Sequence, residues 1–194
     1  MKHWTKPLLA AALALGLAPA VCLATDYLSQ STSINAALDG AYLGKATVAS
    51  PVEVLERKDG QAHVRISGWT LKEYPGQIFT APGVRIENAS IDEVGALKLG
   101  ASKSQNVQGN DWVAASVEGW VPESKVTSDI NALWTKAKAR HADACSTCHA
   151  APAADHFTAN QWATLLPVKG GRAGHTRKGA NELMFRYLQE HAKK

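Results

Sequence analysis

The chain has 194 residues, 45% of them hydrophobic and 20% charged, with a formal charge of +4. These proportions are ordinary for a globular protein, they exclude disordered and fibrous classes, and the length admits one domain or two small ones. No long Lys/Arg run stands beside interleaved aromatics, so no nucleic-acid or other polyanion partner is expected.

Residues 1–24, MKHWTKPLLAAALALGLAPAVCLA, place Lys2 and Lys6 before an apolar run from Leu8 to Leu17 and end on small residues at Ala18, Ala20 and Ala24. That is the layout of a secretory signal peptide, and its apolar run is shorter than the ~20 residues of a spanning helix. A lipoprotein reading through Cys22 is weaker, because PAVC lacks the Leu and small residue that precede a lipidated cysteine. Cleavage is expected, with a mature start at Thr25 or Asp26, export to the periplasm and no integral membrane span afterwards. It leaves 19 basic against 17 acidic residues, and Cys145 and Cys148 as the remaining cysteines, too few for a disulfide framework.

From Ala41 to Thr127 short alternating runs with turn signals predict an antiparallel β domain over residues 25–128. Val52, Val54 and Leu55 precede Lys58-Asp59-Gly60, and Ala62, Val64 and Ile66 follow it in alternation, a hairpin signal. A second compact strand pair is expected around Glu118-Gly119. The spacing W-V-x-x-x-V-x-G-W-V from Trp112 to Val121 resembles the closing strands of bacterial SH3-like domains, with Trp112 and Trp120 as core aromatics.

At Ser128 the period changes from 2 to 3.6. Ser128 or Asp129 can cap a helix carrying Ile130, Leu133, Trp134 and Ala137 on one stripe and running to about His141. A short helix is expected from Thr158 to Leu166, stopped by Pro167. The last begins at Thr176 or soon after and buries Leu183, Tyr187 and Leu188, with Lys193 and Lys194 suiting its C-terminus. Between these two lies the basic, glycine-rich stretch PVKGGRAGHTRKG, whose Lys169, Arg172, Arg177 and Lys178 form either a docking patch or a solvated loop.

Cys145, Cys148 and His149 read C-x-x-C-H. Two thiols at that spacing add across the two vinyl groups of one haem, and the next residue comes under the iron as an axial ligand. A thioredoxin-like pair needs a βαβ context, and a structural zinc site needs four ligands with no second C-x-x-C here to supply them. One covalently attached haem c is therefore expected on residues 129–194, a segment expected to bind it in isolation.

A helix, C-x-x-C-H, a ligand loop and a terminal helix resemble a class I cytochrome c domain. LWTKAKARHADACSTCHAAPAADHFTANQW, RAG and YLQEHA resemble, more closely, the C-terminal monohaem region of pentahaem cytochromes that feed periplasmic trimethylamine N-oxide and dimethyl sulfoxide reductases. ISGW (Ile66 to Trp69) and GQIFTA (Gly76 to Ala81) extend the likeness into the β domain. The fold this implies is α+β: a small SH3-like antiparallel barrel followed by a class I cytochrome c-like haem domain. Those cytochromes carry four further haem motifs, and one C-x-x-C-H stands here, so the resemblance implies a separate membrane-bound quinol-oxidising donor.

The same resemblance places a methionine before Arg-Ala-Gly where this chain has Lys169. The sixth iron ligand is then sought among His156, His175, Met184 and Lys169. His156 stands first, in the family's position before Asn-Gln-Trp; seven residues separate it from His149, a reach of at most ~23 Å. His63, His141 and His191 read as ordinary histidines. Trp134, Trp162 and Tyr187 are expected to wall the haem or join helix packing. The function expected is electron transfer to a periplasmic molybdenum reductase of S- or N-oxides, without catalysis by the chain itself. The alternative is a haem-based redox or ligand sensor that uses the β domain to bind a partner; no distal acid-base pair singles out a peroxidase.

Overall fold

A computed structural model describes residues 25–146, 150–166 and 179–194 of the chain. Ten strands precede three helices among the described residues, an α+β architecture. The strands are β1 (Asp26–Leu28), β2 (Thr32–Asn35), β3 (Tyr42–Ala46), β4 (Pro51–Lys58), β5 (Gln61–Leu71), β6 (Gln77–Ala81), β7 (Val84–Ile91), β8 (Lys98–Val107), β9 (Asn110–Pro122) and β10 (Val126–Thr127). The helices are α1 (Ile130–Cys145), α2 (Ala159–Leu165) and α3 (Ala180–Glu190).

β5, β6, β7, β3, β2 and β9 pair antiparallel in that order, and β9 returns to β5, so six strands close into a barrel. β5 is long enough to serve two neighbours on one edge, β4 over Gln61–Arg65 and β6 at Trp69. Its other edge runs along β9 from Gln61↔Pro122 to Leu71↔Trp112. Period-2 alternation turns Ala62, Val64 and Ile66 of β5 and Val117 and Val121 of β9 inward, where they meet Leu28, Ile34, Ile78 and Ile91 in one core. Each of these valines, leucines and isoleucines, fully buried, stabilises the barrel by about 1.5–3 kcal/mol.

The expected turn between β4 and β5 is present: Asp59 (φ 51°) and Gly60 (φ 73°) both adopt the left-handed conformation that a two-residue hairpin loop requires. The strand pair expected around Glu118-Gly119 is instead one continuous strand, β9, whose hairpin turn lies earlier at Gln108-Gly109. Gly119 answers a different demand. A Cβ there would collide with the Ile34 side chain and lie 2.8 Å from the Asn35 carbonyl oxygen, so glycine lets β2 cross close to β9.

Trp112 is buried as expected and Trp120 only partly so, and both occupy the face of β9 opposite its inward valines. Trp112 is buried edge-on against Phe79 at 5.6 Å, and half-buried Trp120 stacks on His63 at 5.0 Å. An ionic ladder crosses four strands on that outer face: Glu53 to Arg65 at 2.6 Å, Arg65 to Glu118 at 2.9 Å, and Glu118 to Lys98 at 2.7 Å.

The helices dock on β7. That strand pairs with β3 only over Ala89–Ile91, and side chains of α2 and α3 take backbone groups of its earlier half. Asn160 donates to the carbonyl of Gly83, just before the strand, and accepts from the Arg85 amide, each at 2.7 Å. Gln189 donates to the Arg85 carbonyl at 2.7 Å, and Arg186 donates to that of Glu87 at 2.6 Å. Backbone groups with no strand beside them need other partners, and here helix side chains do what a neighbouring strand would do elsewhere. Arg186, only 2% exposed, also donates to Asn88 Oδ1 at 2.8 Å and pairs with Glu190 at 2.9 Å.

Candidate haem site

α1 begins where the sequence places it: the Asp129 carboxylate accepts from the Ala132 amide at 2.9 Å and caps the helix. It runs four residues beyond the expected end at His141 and carries Cys145 as its last residue. Leu133, Ala137 and His141 are buried, and half-buried Cys145 continues the same stripe at a spacing of four. Trp134, on the flank, lies 6.0 Å from Tyr187 and 5.3 Å from His191 of the α3 end.

α2 is held by a capping box in which Thr158 accepts from the Gln161 amide and Gln161 accepts from that of Thr158. This points Trp162 inward. Its indole donates to the Ala154 carbonyl at 2.7 Å, and its ring meets Phe157 edge-on at 4.9 Å. Trp162 and Leu166 join Met184, Phe185 and Leu188 of α3 in a second core, against which Ala144, Phe157 and Tyr187 pack. The barrel and the helices thus have separate apolar cores joined by the polar contacts on β7. Leu183 and Tyr187, expected to be buried, are half-buried, and Met184 and Phe185 take the innermost positions because α3 turns Arg186 and Gln189 toward β7.

Among the predicted site residues, the structure brings Cys145, Trp134, Trp162 and Tyr187 to the packed helices. Cys148, His149, His175 and Lys169 lie outside the described residues, as do Arg172, Arg177, Lys178, Pro167 and the predicted signal segment. His156 is exposed on a 3-10 turn, edge-on to Phe157 at 4.5 Å, and borders a surface depression with Lys193 and Lys194. Met184 is 1% exposed in the second core. His141, read from the sequence as an ordinary histidine, is 8% exposed, and its Nε2 has no hydrogen-bond partner among the described residues. Its recurrence at a spacing of four after Leu133 and Ala137 is the signal that marks it as inward.

The Cys145 thiol is free, and burial pushes its pKa up while the nearby Arg140 guanidinium pulls it down. A covalent haem is a flat, largely apolar group that needs its first thiol at an apolar wall. Cys145 meets that need at the end of a buried stripe, one residue after Ala144, which packs on the second core. Cys145 and Cys148 would hold the haem and His149 its iron, and the haem would supply one-electron Fe(II)/Fe(III) chemistry.

No helix among the described residues is long and apolar enough to cross a membrane. No solved structure matches the chain. It is 30% identical over 157 residues to cytochrome c-type protein TorC of Escherichia coli O157:H7, covering 77% of this chain and 39% of that protein. It is 29% identical over 158 residues to cytochrome c-type protein TorY of the same organism, covering 78% and 42%. It is also 32% identical over 133 residues to cytochrome c-type protein TorY of Haemophilus influenzae, covering 66% and 35%. The chain thus spans about two fifths of the length of these relatives. A family described as the TorC third cytochrome c domain matches residues 25–126, which run from the start of the barrel to the first residue of β10. The match covers more than half of the chain, which belongs to that family of c-type cytochromes.

Proposed function

We propose that the protein is a periplasmic electron carrier with one haem c, bonded to Cys145 and Cys148 and ligated by His149. It takes electrons from a membrane-bound quinol-oxidising donor and passes them to a molybdenum reductase of S- or N-oxides. The placement of Cys145 carries the reading: it ends the buried stripe of α1, beside the second core. Residues 129–194 form the haem-bearing part in this reading, and the barrel over 25–128 is an SH3-like module that positions or docks a partner. From Asp129 onward the chain has ten Lys and Arg against five Asp and Glu, which favours an acidic docking surface on the partner. Association should then slow as salt is raised.

For the sixth ligand, His156 remains first. It stands exposed on a short turn, free to approach the iron without unpacking a core, whereas Met184 would have to leave a site where it is 1% exposed. Emptying such a site costs about 2–5 kcal/mol. Two histidine ligands give a low potential for a cytochrome c, since methionine raises it.

Acid-acetone extraction of periplasm-matured protein should leave the haem on the polypeptide, with a mass greater by one haem. Loss of the haem on extraction sinks the attachment. Rapid mixing of the reduced protein with an S- or N-oxide reductase should oxidise it within the reductase's turnover time, and no reaction sinks the proposed acceptor. A high-spin iron that binds carbon monoxide freely would favour the sensor with the barrel as its partner-binding module.

A further inference from the structure

We propose that one end of the barrel is a docking surface for a basic, apolar segment of a partner protein. It is formed by the turn between β5 and β6, the start of β3 and the 3-10 turn Val94–Ala96 that follows β7. The inference rests on the docking role given to the barrel above and deepens it, naming the place and the chemistry of the occupant.

The backbone brings three distant stretches together there. The Asp92 and Glu93 amides donate to the Leu43 carbonyl at 2.9 and 3.1 Å, and the Ile91 amide donates to the Gly76 carbonyl at 2.6 Å. A Cβ on Gly76 would lie 3.9 Å from Val94 Cγ2. Five large hydrophobic side chains are exposed among the described residues, and three of them stand on these stretches: Tyr74 at 77%, Tyr42 at 50% and Val94 at 42%. Single exposed apolar residues are ordinary, whereas a group of them on adjoining turns marks a binding site. Tyrosine suits such a site, because it offers a large rigid face at little cost in side-chain entropy.

The charge around the patch identifies the occupant. Glu73, Asp92 and Glu93 are exposed, and none has an ion-pair partner among the described residues. Elsewhere on the barrel such carboxylates are paired: Glu53 and Glu118 share Arg65, and Asp26 and Glu123 share Arg57. Lys72 is the one basic residue beside the three unpaired carboxylates, so the surface repels nucleic acid and anionic lipid. A partner that covers it must bring cations to the rim and apolar side chains to the centre. A segment with Lys or Arg between apolar residues meets both demands. The chain from Asp129 onward is basic, so the two parts of the protein select partner surfaces of opposite charge. The helix side chains bond to groups between Gly83 and Asn88, and the patch begins at Ile91, so a partner seated there competes with none of those bonds.

The test follows the backbone amide signals of 15N-labelled, periplasm-matured full-length protein as short peptides are added. One peptide alternates Lys and Leu, one alternates Glu and Leu, and one contains Lys alone. The Lys/Leu peptide should shift the Tyr42, Tyr74 and Val94 signals to saturation, with a Kd that rises with salt. The other two should leave those signals unmoved at the same concentration. Tyr74→Ser combined with Val94→Ser should weaken binding about tenfold, and Glu73→Gln combined with Glu93→Gln should weaken it and flatten its salt dependence. Shifts confined to another face of the barrel keep the docking role and overturn this surface, whereas no shift on the barrel with any peptide fails both. Equal binding of the Lys peptide, or a Kd unchanged by the Tyr74 and Val94 substitutions, also overturns the proposal. Sedimentation of the protein alone completes the test: self-association abolished by the same substitutions would assign the surface to a second copy and overturn the partner.

Discussion

Glu118 and Gly119 stand side by side on β9 and show how differently adjacent residues serve a fold. The Glu118 carboxyl accepts from Lys98 and Arg65, and both hold its pKa below the ordinary value. A carboxyl depressed on folding stabilises the fold above its unfolded pKa and loses that contribution as pH falls through the folded value. Glu118→Gln should therefore lower the Tm slightly at neutral pH, and the gap to wild type should close below roughly pH 4. High salt should narrow it as well, because the ladder is exposed. At Gly119 the demand is space. Gly119→Ala sets a methyl against Ile34 and the Asn35 carbonyl, an overpacking expected to cost about 1–3 kcal/mol in urea unfolding.

α2 and α3 are short, and their positions depend on a few polar residues at ends and faces. α2 has seven residues, too few to be stable on propensity alone. Thr158→Ala removes half of its capping box and should cost about 1 kcal/mol in thermal unfolding. α3 depends on Arg186, whose buried guanidinium binds the Glu87 carbonyl, Asn88 Oδ1 and Glu190 together. Arg186→Met keeps much of the bulk and leaves those acceptors without their donor. We expect a loss on the order of 3–5 kcal/mol by urea unfolding.

At the scale of the whole molecule, the described residues form separate apolar cores in the barrel and the helices, joined by specific hydrogen bonds. Asn160, Arg186 and Gln189 find their partners on β7, so a fragment starting at Ser128 would expose groups that the full chain pairs. The full chain should unfold in one transition in urea, followed at once by tryptophan fluorescence and far-UV circular dichroism. The fragment, matured in the periplasm, should unfold at lower urea than the same helices in the full chain. Two separate transitions in the full chain would show instead that the polar joint does not couple the parts.

The sequence by itself determined whatever depends on near neighbours along the chain. Asp59-Gly60 turns because glycine tolerates φ > 0 and aspartate accepts it locally, Asp129 caps the helix that follows it, and the change of period at Ser128 separates strands from helices. Cys145, Cys148 and His149 carry the expectation of haem attachment, because their spacing matches the two vinyl groups. Tertiary structure decided the roles that depend on residues far away in sequence. Gly119 reads as a turn until β2 is seen crossing it. Arg186 is buried because β7, nearly a hundred positions earlier in the chain, supplies its acceptors. His141 reads as a helix-end histidine until α1 continues to Cys145 and Trp162 covers its ring. A side chain's local pattern sets the element it belongs to, but its burial and partners depend on which distant element packs over it.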